Sequence, residues 1–185
     1  MSHLQRIRFM IDMDGFVVNR NFLCKELAIG NMNDMSTQLY RFKVGSYYDI
    51  PEEQHFQIKW VRKYIHGLYY HDYVGDFDAE FLFSTLLVIC NICDINNWLI
   101  GYKGGQHEYN ILKFLGYDHL AYNIELVHCP KVEHLIRSNI LNVAVVDTCK
   151  RHSLILHSNG LYVPAYCPKV KLSYFMAYLK SLTSQ

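Results

Sequence analysis

Asp12 and Asp14 stand two residues apart near the end of an apolar run, so an extended chain puts both carboxylates on one side. Paired carboxylate oxygens are hard ligands suited to Mg2+ or Mn2+, and such a pair can open a two-metal hydrolytic site. The competing reading is that Asp14-Gly15 starts a turn and leaves one aspartate in water; the pair alone does not separate the two. A two-metal centre also needs acids from later elements, and these are scarce. After Asp147 the chain has no Asp or Glu, so His157 can imitate a general base but has no aspartate following it. Glu108 can substitute at an intermediate position, although its pattern equally fits an exposed helix glutamate. The usual hydrolytic constellation, with Asp12 and Asp14 catalytic, is therefore incomplete.

The C-terminal third offers a different chemistry. Cys149 and His152 form a C-x2-H knuckle, whose spacing lets a thiolate and an imidazole reach one ion from a single turn, and Cys167 can supply a third ligand. Glu26 is a candidate fourth, because a carboxylate inside the apolar string KELAIG is costly unless paired or coordinated. Two sulfurs, one nitrogen and one carboxylate favour Zn2+ over Mg2+. The plainer alternative is a buried Cys149, a surface His152 and an unrelated Cys167. Cys90 and Cys93, three apart on an apolar helix, read as ordinary core thiols. The same third is basic: Lys150, Arg151, Lys169, Lys171 and Lys180 leave 13 of the 18 basic residues to face all 17 acidic ones elsewhere. Lys150, Arg151, Lys169 and Lys171 are candidate phosphate contacts for a nucleic acid, against the bland reading of a solvated helix face. Among the 15 Tyr, 10 Phe and 2 Trp, a few can stack on bases while most belong to a core.

The elements that must position these residues change period along the chain. Residues 6–13 and 21–30 read as a hairpin, with turn chemistry at Asp14-Gly15 and Asn19-Arg20, and residues 38–44 alternate as a third strand. Helical spacing follows Pro51 as far as Gly67, and residues 78–93 are apolar nearly all round, which predicts a buried helix. Then come a strand at 98–102, a helix at 106–115, a strand near 120–126, a helix from Pro130, a possible strand in NVAVV and a last helix from Pro168. Three antiparallel strands followed by alternating α and β elements predict an α/β fold with a ribonuclease H-like mixed sheet flanked by helices. With 185 residues, 51% hydrophobic and 19% charged, one domain spanning 1–185 is expected. No apolar run approaches the roughly 20 residues of a membrane span, and the N-terminus has no room for a secretion signal, so an intracellular protein with no membrane partner is expected.

Taken together, the KELAI strand, the C-K-x-H knuckle, a cysteine opening the final helix and the missing nuclease carboxylates resemble the Maelstrom domain. That family is a ribonuclease H-like relative of the DEDD exonucleases. The chain is also similar to poorly characterised insect proteins in short strings such as Tyr64-Ile65-His66-Gly67-Leu68, Tyr102-Lys103-Gly104-Gly105 and Cys129-Pro130. The resemblance implies a structural Zn2+ on Glu26, Cys149, His152 and Cys167, and single-stranded RNA as ligand. It also implies weak or unconventional ribonuclease activity, and partners in small-RNA silencing of transposons. Two departures stand against the pattern: the gap from His152 to Cys167 is long, which makes His157 an alternative ligand, and Asp12-x-Asp14 retains acid where degenerate members have lost it. An active exonuclease using Asp12 and Asp14 with Mg2+ or Mn2+, and a protein-interaction scaffold with a vestigial groove, are the alternative functions.

Overall fold

In the computed structural model, which describes residues 2–70, 75–142 and 149–183, a capped single turn α1 (His3–Arg6) leads into β1 (Ile7–Val18). β1 is longer than the sequence suggests, because Asp14-Gly15 does not turn the chain. The strand runs on through a bulge at that point, and the reversal comes at Asn19-Arg20, both left-handed with φ of 50° and 65°. β2 (Asn21–Asn31) returns antiparallel and β3 (Thr37–Arg41) adds a third antiparallel strand. Next come α2 (Glu52–Val61) and one wider π-helical turn, Arg62–His66, closed by left-handed Gly67. Then follow α3 (Ala79–Asn96), β4 (Leu99–Tyr102), α4 (Gln106–Phe114), β5 (Ala121–Asn123) and α5 (Val132–Arg137). The small hairpin of β6 (Ile155–Leu156) and β7 (Tyr162–Val163) precedes the last helix, α6 (Pro168–Thr183). The expected NVAVV strand lies, beyond Asn142, outside the described residues.

The sheet has the order β3-β2-β1-β4-β5. β1 is central, antiparallel to β2 and parallel to β4, which is in turn parallel to β5. This is the ribonuclease H-like α/β sheet the element order implied. Alternation along β1 sends Ile11 and Met13 into a core shared with α3, and Met10 into one shared with Leu172 and Met176 of α6. Asp12 and Asp14, in step with Met10, therefore face α6. α3 departs from expectation: Leu82, Leu86, Ile89, Cys90 and Cys93 are buried, but Leu87, Val88 and Ile95 on the other face are exposed. At 18 residues and a mean hydropathy of 1.4 this helix is long and apolar enough to cross a membrane, although one face forms part of the core.

Candidate functional site

Asp12 and Asp14 are both buried, so neither is the exposed turn residue of the plainer reading. β4 pairs with β1 only as far as Met10, which leaves the later part of that β1 edge open. Glu108 fills the opening: its Oε1 accepts the Met13 N–H at 3.0 Å, and the glutamate is buried rather than exposed on α4. Gly105, the residue before α4, permits this approach, because a Cβ there would stand 2.2 Å from Glu108 Oε2.

From the opposite side α6 presents Lys171. Its ammonium lies 2.7 Å from Asp12 Oδ2 and 3.0 Å from Asp14 Oδ1. Burial works against its charge, but Asp12 and Asp14 hold Lys171 protonated well above its ordinary range. Burial, with Asp14 adding, pushes Asp12 up to about 6 despite Lys171. Asp14 is buried too, yet Lys171, His66 and His152 more than offset this and lower its carboxyl. Burial and the neighbouring Asp12 charge bring Glu108 to about 7. The buried oxygens Asp14 Oδ2 and Glu108 Oε2 accept no hydrogen bond among the described residues.

A divalent metal would be held by the inward oxygens of Asp12, Asp14 and Glu108. Lys171 already meets Asp12 Oδ2 and Asp14 Oδ1 at hydrogen-bond distance, so a divalent ion would be left with Asp14 Oδ2 and Glu108 Oε2 and would stand against the charge of the ammonium. The residues present do not fit a metal while Lys171 is in place, and no hydrolytic step through one follows. His66, which the sequence reading left unassigned, borders the centre. Its Nε2–H donates to the Gly15 carbonyl at 2.9 Å and its Nδ1 accepts the Leu68 N–H at 3.0 Å, so both nitrogens are engaged. Burial lowers its pKa, against the neighbouring Asp14 charge that raises it. His157, the expected stand-in for a general base, lies exposed beyond β6.

The second constellation lies beside the first, since Glu26 is the cross-strand partner of Asp14. Its Oε2 meets His152 Nε2 at 2.9 Å and its Oε1 meets Arg41 Nε at 3.4 Å. His152 Nδ1 donates to the His66 carbonyl, so in the neutral ring Nε2 would face the carboxylate lone pair to lone pair; a proton or a metal ion must lie between them. The contact is fixed by the segment that docks at Gly67, where Ser153 N and Oγ donate to the Gly67 carbonyl at 3.0 and 2.9 Å. A Cβ on Gly67 would meet Ser153 O at 2.3 Å. Cys167 is buried just before α6, close enough to Cys149 and Glu26 for their charges to join burial in raising its thiol to about 11. The structure thus brings Glu26 to His152 and not to His157, with both cysteines nearby. Among the described residues, however, no three His, Cys, Asp or Glu side chains are grouped as a coordination sphere requires. Cys90 and Cys93 are core thiols. Of the expected phosphate contacts, Lys150 and Lys169 are exposed and Arg151 half-buried, whereas Lys171 is taken up by the aspartates.

No family model and no curated protein sequence matches the chain. Among solved structures it is similar to the exonuclease domain of Mopeia virus in a form fully depleted of manganese. There the identity is 15% and the TM-score 0.60, over 97% of this chain and 80% of that one. The same viral domain soaked with alendronate gives 14% identity and a TM-score of 0.59, over 98% and 86%. The chain therefore has the fold of an exonuclease-type, ribonuclease H-like domain. The Maelstrom likeness rests on the short motifs alone.

Proposed function

We propose that this chain is a nuclease-related, nucleic-acid-binding module that does not perform conventional two-metal hydrolysis, because a lysine has taken the place of the metal. The observation that carries this reading is the Lys171 ammonium held between Asp12 and Asp14 at 2.7 and 3.0 Å. The exonuclease fold of the neighbours supports a nucleic-acid ligand, and the Maelstrom resemblance adds single-stranded RNA and partners in a silencing pathway. A structural Zn2+ on Glu26, Cys149, His152 and Cys167 belongs to the same reading, supported by the Glu26–His152 contact and the closeness of both cysteines. Such an ion would tie β2 to the segment before β6 and to the start of α6; with four protein ligands it has no open position at which to activate water. In an assay of labelled single-stranded RNA with Mg2+ or Mn2+, the protein should retard the strand without shortening it. Stepwise metal-dependent shortening that Asp12→Asn abolishes would establish the exonuclease instead.

A further inference from the structure

The second half of α2 and the π-helical turn form a surface that the carboxylate centre and the Glu26 cluster do not use. α2 buries only Ile58. Phe56, Trp60 and Tyr64, four apart and so in one row, remain 77%, 45% and 36% exposed. Lys59 and Lys63 form an exposed row beside them; the Lys63 ammonium lies 5.2 Å from the Tyr64 ring centre, and the Trp60 and Tyr64 rings are 5.4 Å apart. A groove of about 590 Å3 lies on the lysine side of this face, between Lys59, Arg62 and Lys63 on one wall and Ser153, Leu154 and Tyr162 on the other. No acid lines it. The segment docked at Gly67 through Ser153 carries the exposed Lys150 three residues earlier, whereas Glu52 and Glu53 stand in the first turn of α2, away from its C-terminal end.

Basic residues near a helix C-terminus stabilise its dipole without any ligand. That accounts for Lys59 and Lys63 but not for a row of large aromatic side chains left in water beside them. An amphipathic helix lying on a membrane separates its cations from its apolar face, and the acidic first turn of α2 would be repelled by anionic lipid. Interleaved cations and aromatic faces instead match a flexible polyanion carrying exposed rings.

We infer that this face is the binding surface for a single-stranded nucleic acid, with unpaired bases stacking on Trp60 and Tyr64 while Lys59, Lys63 and Lys150 contact phosphates. The inference rests on the nucleic-acid-binding function proposed above and gives it a location. Affinity of the full chain for a fluorescein-labelled oligo-uridine, measured by anisotropy across a salt series, tests it. Trp60→Ala/Tyr64→Ala should weaken binding about tenfold with an unchanged salt slope. Lys59→Ala/Lys63→Ala should also weaken it about tenfold at low salt, and flatten the log–log salt slope by roughly 1.4, or about 0.7 per lost phosphate contact on a single strand. Trp60→Phe, which keeps a stacking face, should bind nearly as the unmodified chain does. All these side chains are exposed, so each variant should stay folded, with the lysine double variant melting at most a few degrees lower through its lost dipole interaction. Unmodified protein that binds the oligonucleotide while both double variants bind equally well would overturn the location and leave the proposed function standing. Failure of the unmodified protein to bind at low salt would overturn both, and capture by anionic vesicles in place of the oligonucleotide would make the face a membrane surface.

Discussion

The half-buried ammonium of Lys171 changes what the three carboxylates around it can do. One positive charge cannot neutralise three negative ones, so part of the cluster takes up protons, and burial raises Glu108 from its ordinary 4.5 to about 7. A carboxyl whose folded pKa lies above its unfolded value adds stability below the unfolded value and loses it as pH climbs through the folded one. For Glu108 that window runs from about 4.5 to about 7 and is worth on the order of 3 kcal/mol. Glu108→Gln, which keeps the acceptor for Met13 N–H and cannot ionise, should leave stability at pH 5 nearly unchanged. At pH 8 it should raise the melting temperature by several degrees, a contrast that thermal denaturation at the two pH values reads directly. The aspartate pair was legible in the sequence because alternate residues of a strand share a face. Lys171 and Glu108 were not: each sits on a helix whose pattern places it equally well in solvent. Their burial follows only from the packing of α6 on β1 and the early end of β4.

At the scale of elements, the opening hairpin and its place in the sheet were readable from period-2 patterning. Of its two turn signals Asn19-Arg20 makes the reversal, while Asp14-Gly15 has turn chemistry that the neighbouring strands override. α3 shows the converse limit, since an apolar helix implies burial, yet the structure buries one face and leaves Leu87, Val88 and Ile95 in water. The cysteine–histidine knuckle was legible from spacing, and its meeting with Glu26 depends on the turn at Gly67 that receives Ser153. If a zinc ion ties β2 to this segment and to α6, purified protein should contain about one zinc per chain. Cys149→Ser should release it and lower the melting temperature, whereas Asp12→Asn should retain it. Zinc-free native protein by elemental analysis would reduce the cluster to the Glu26–His152–Arg41 contacts.

For the whole molecule, a formal net charge of +1 gives no general attraction for a polyanion, so binding must come from where the charges sit. The basic C-terminal third was visible in the sequence. The α2 face was not, because its lysines and aromatics read as an ordinary amphipathic helix until the fold leaves them exposed. Calorimetric titration with Mn2+ tests most directly the proposed exchange of a metal for an internal lysine in an exonuclease-type fold. The unmodified protein should give no saturable binding at the carboxylate centre, whereas Lys171→Asp, which removes the ammonium and places a fourth carboxylate there, should bind Mn2+ and melt at a higher temperature in its presence. Saturable Mn2+ binding by the unmodified protein that Asp12→Asn abolishes would contradict the account.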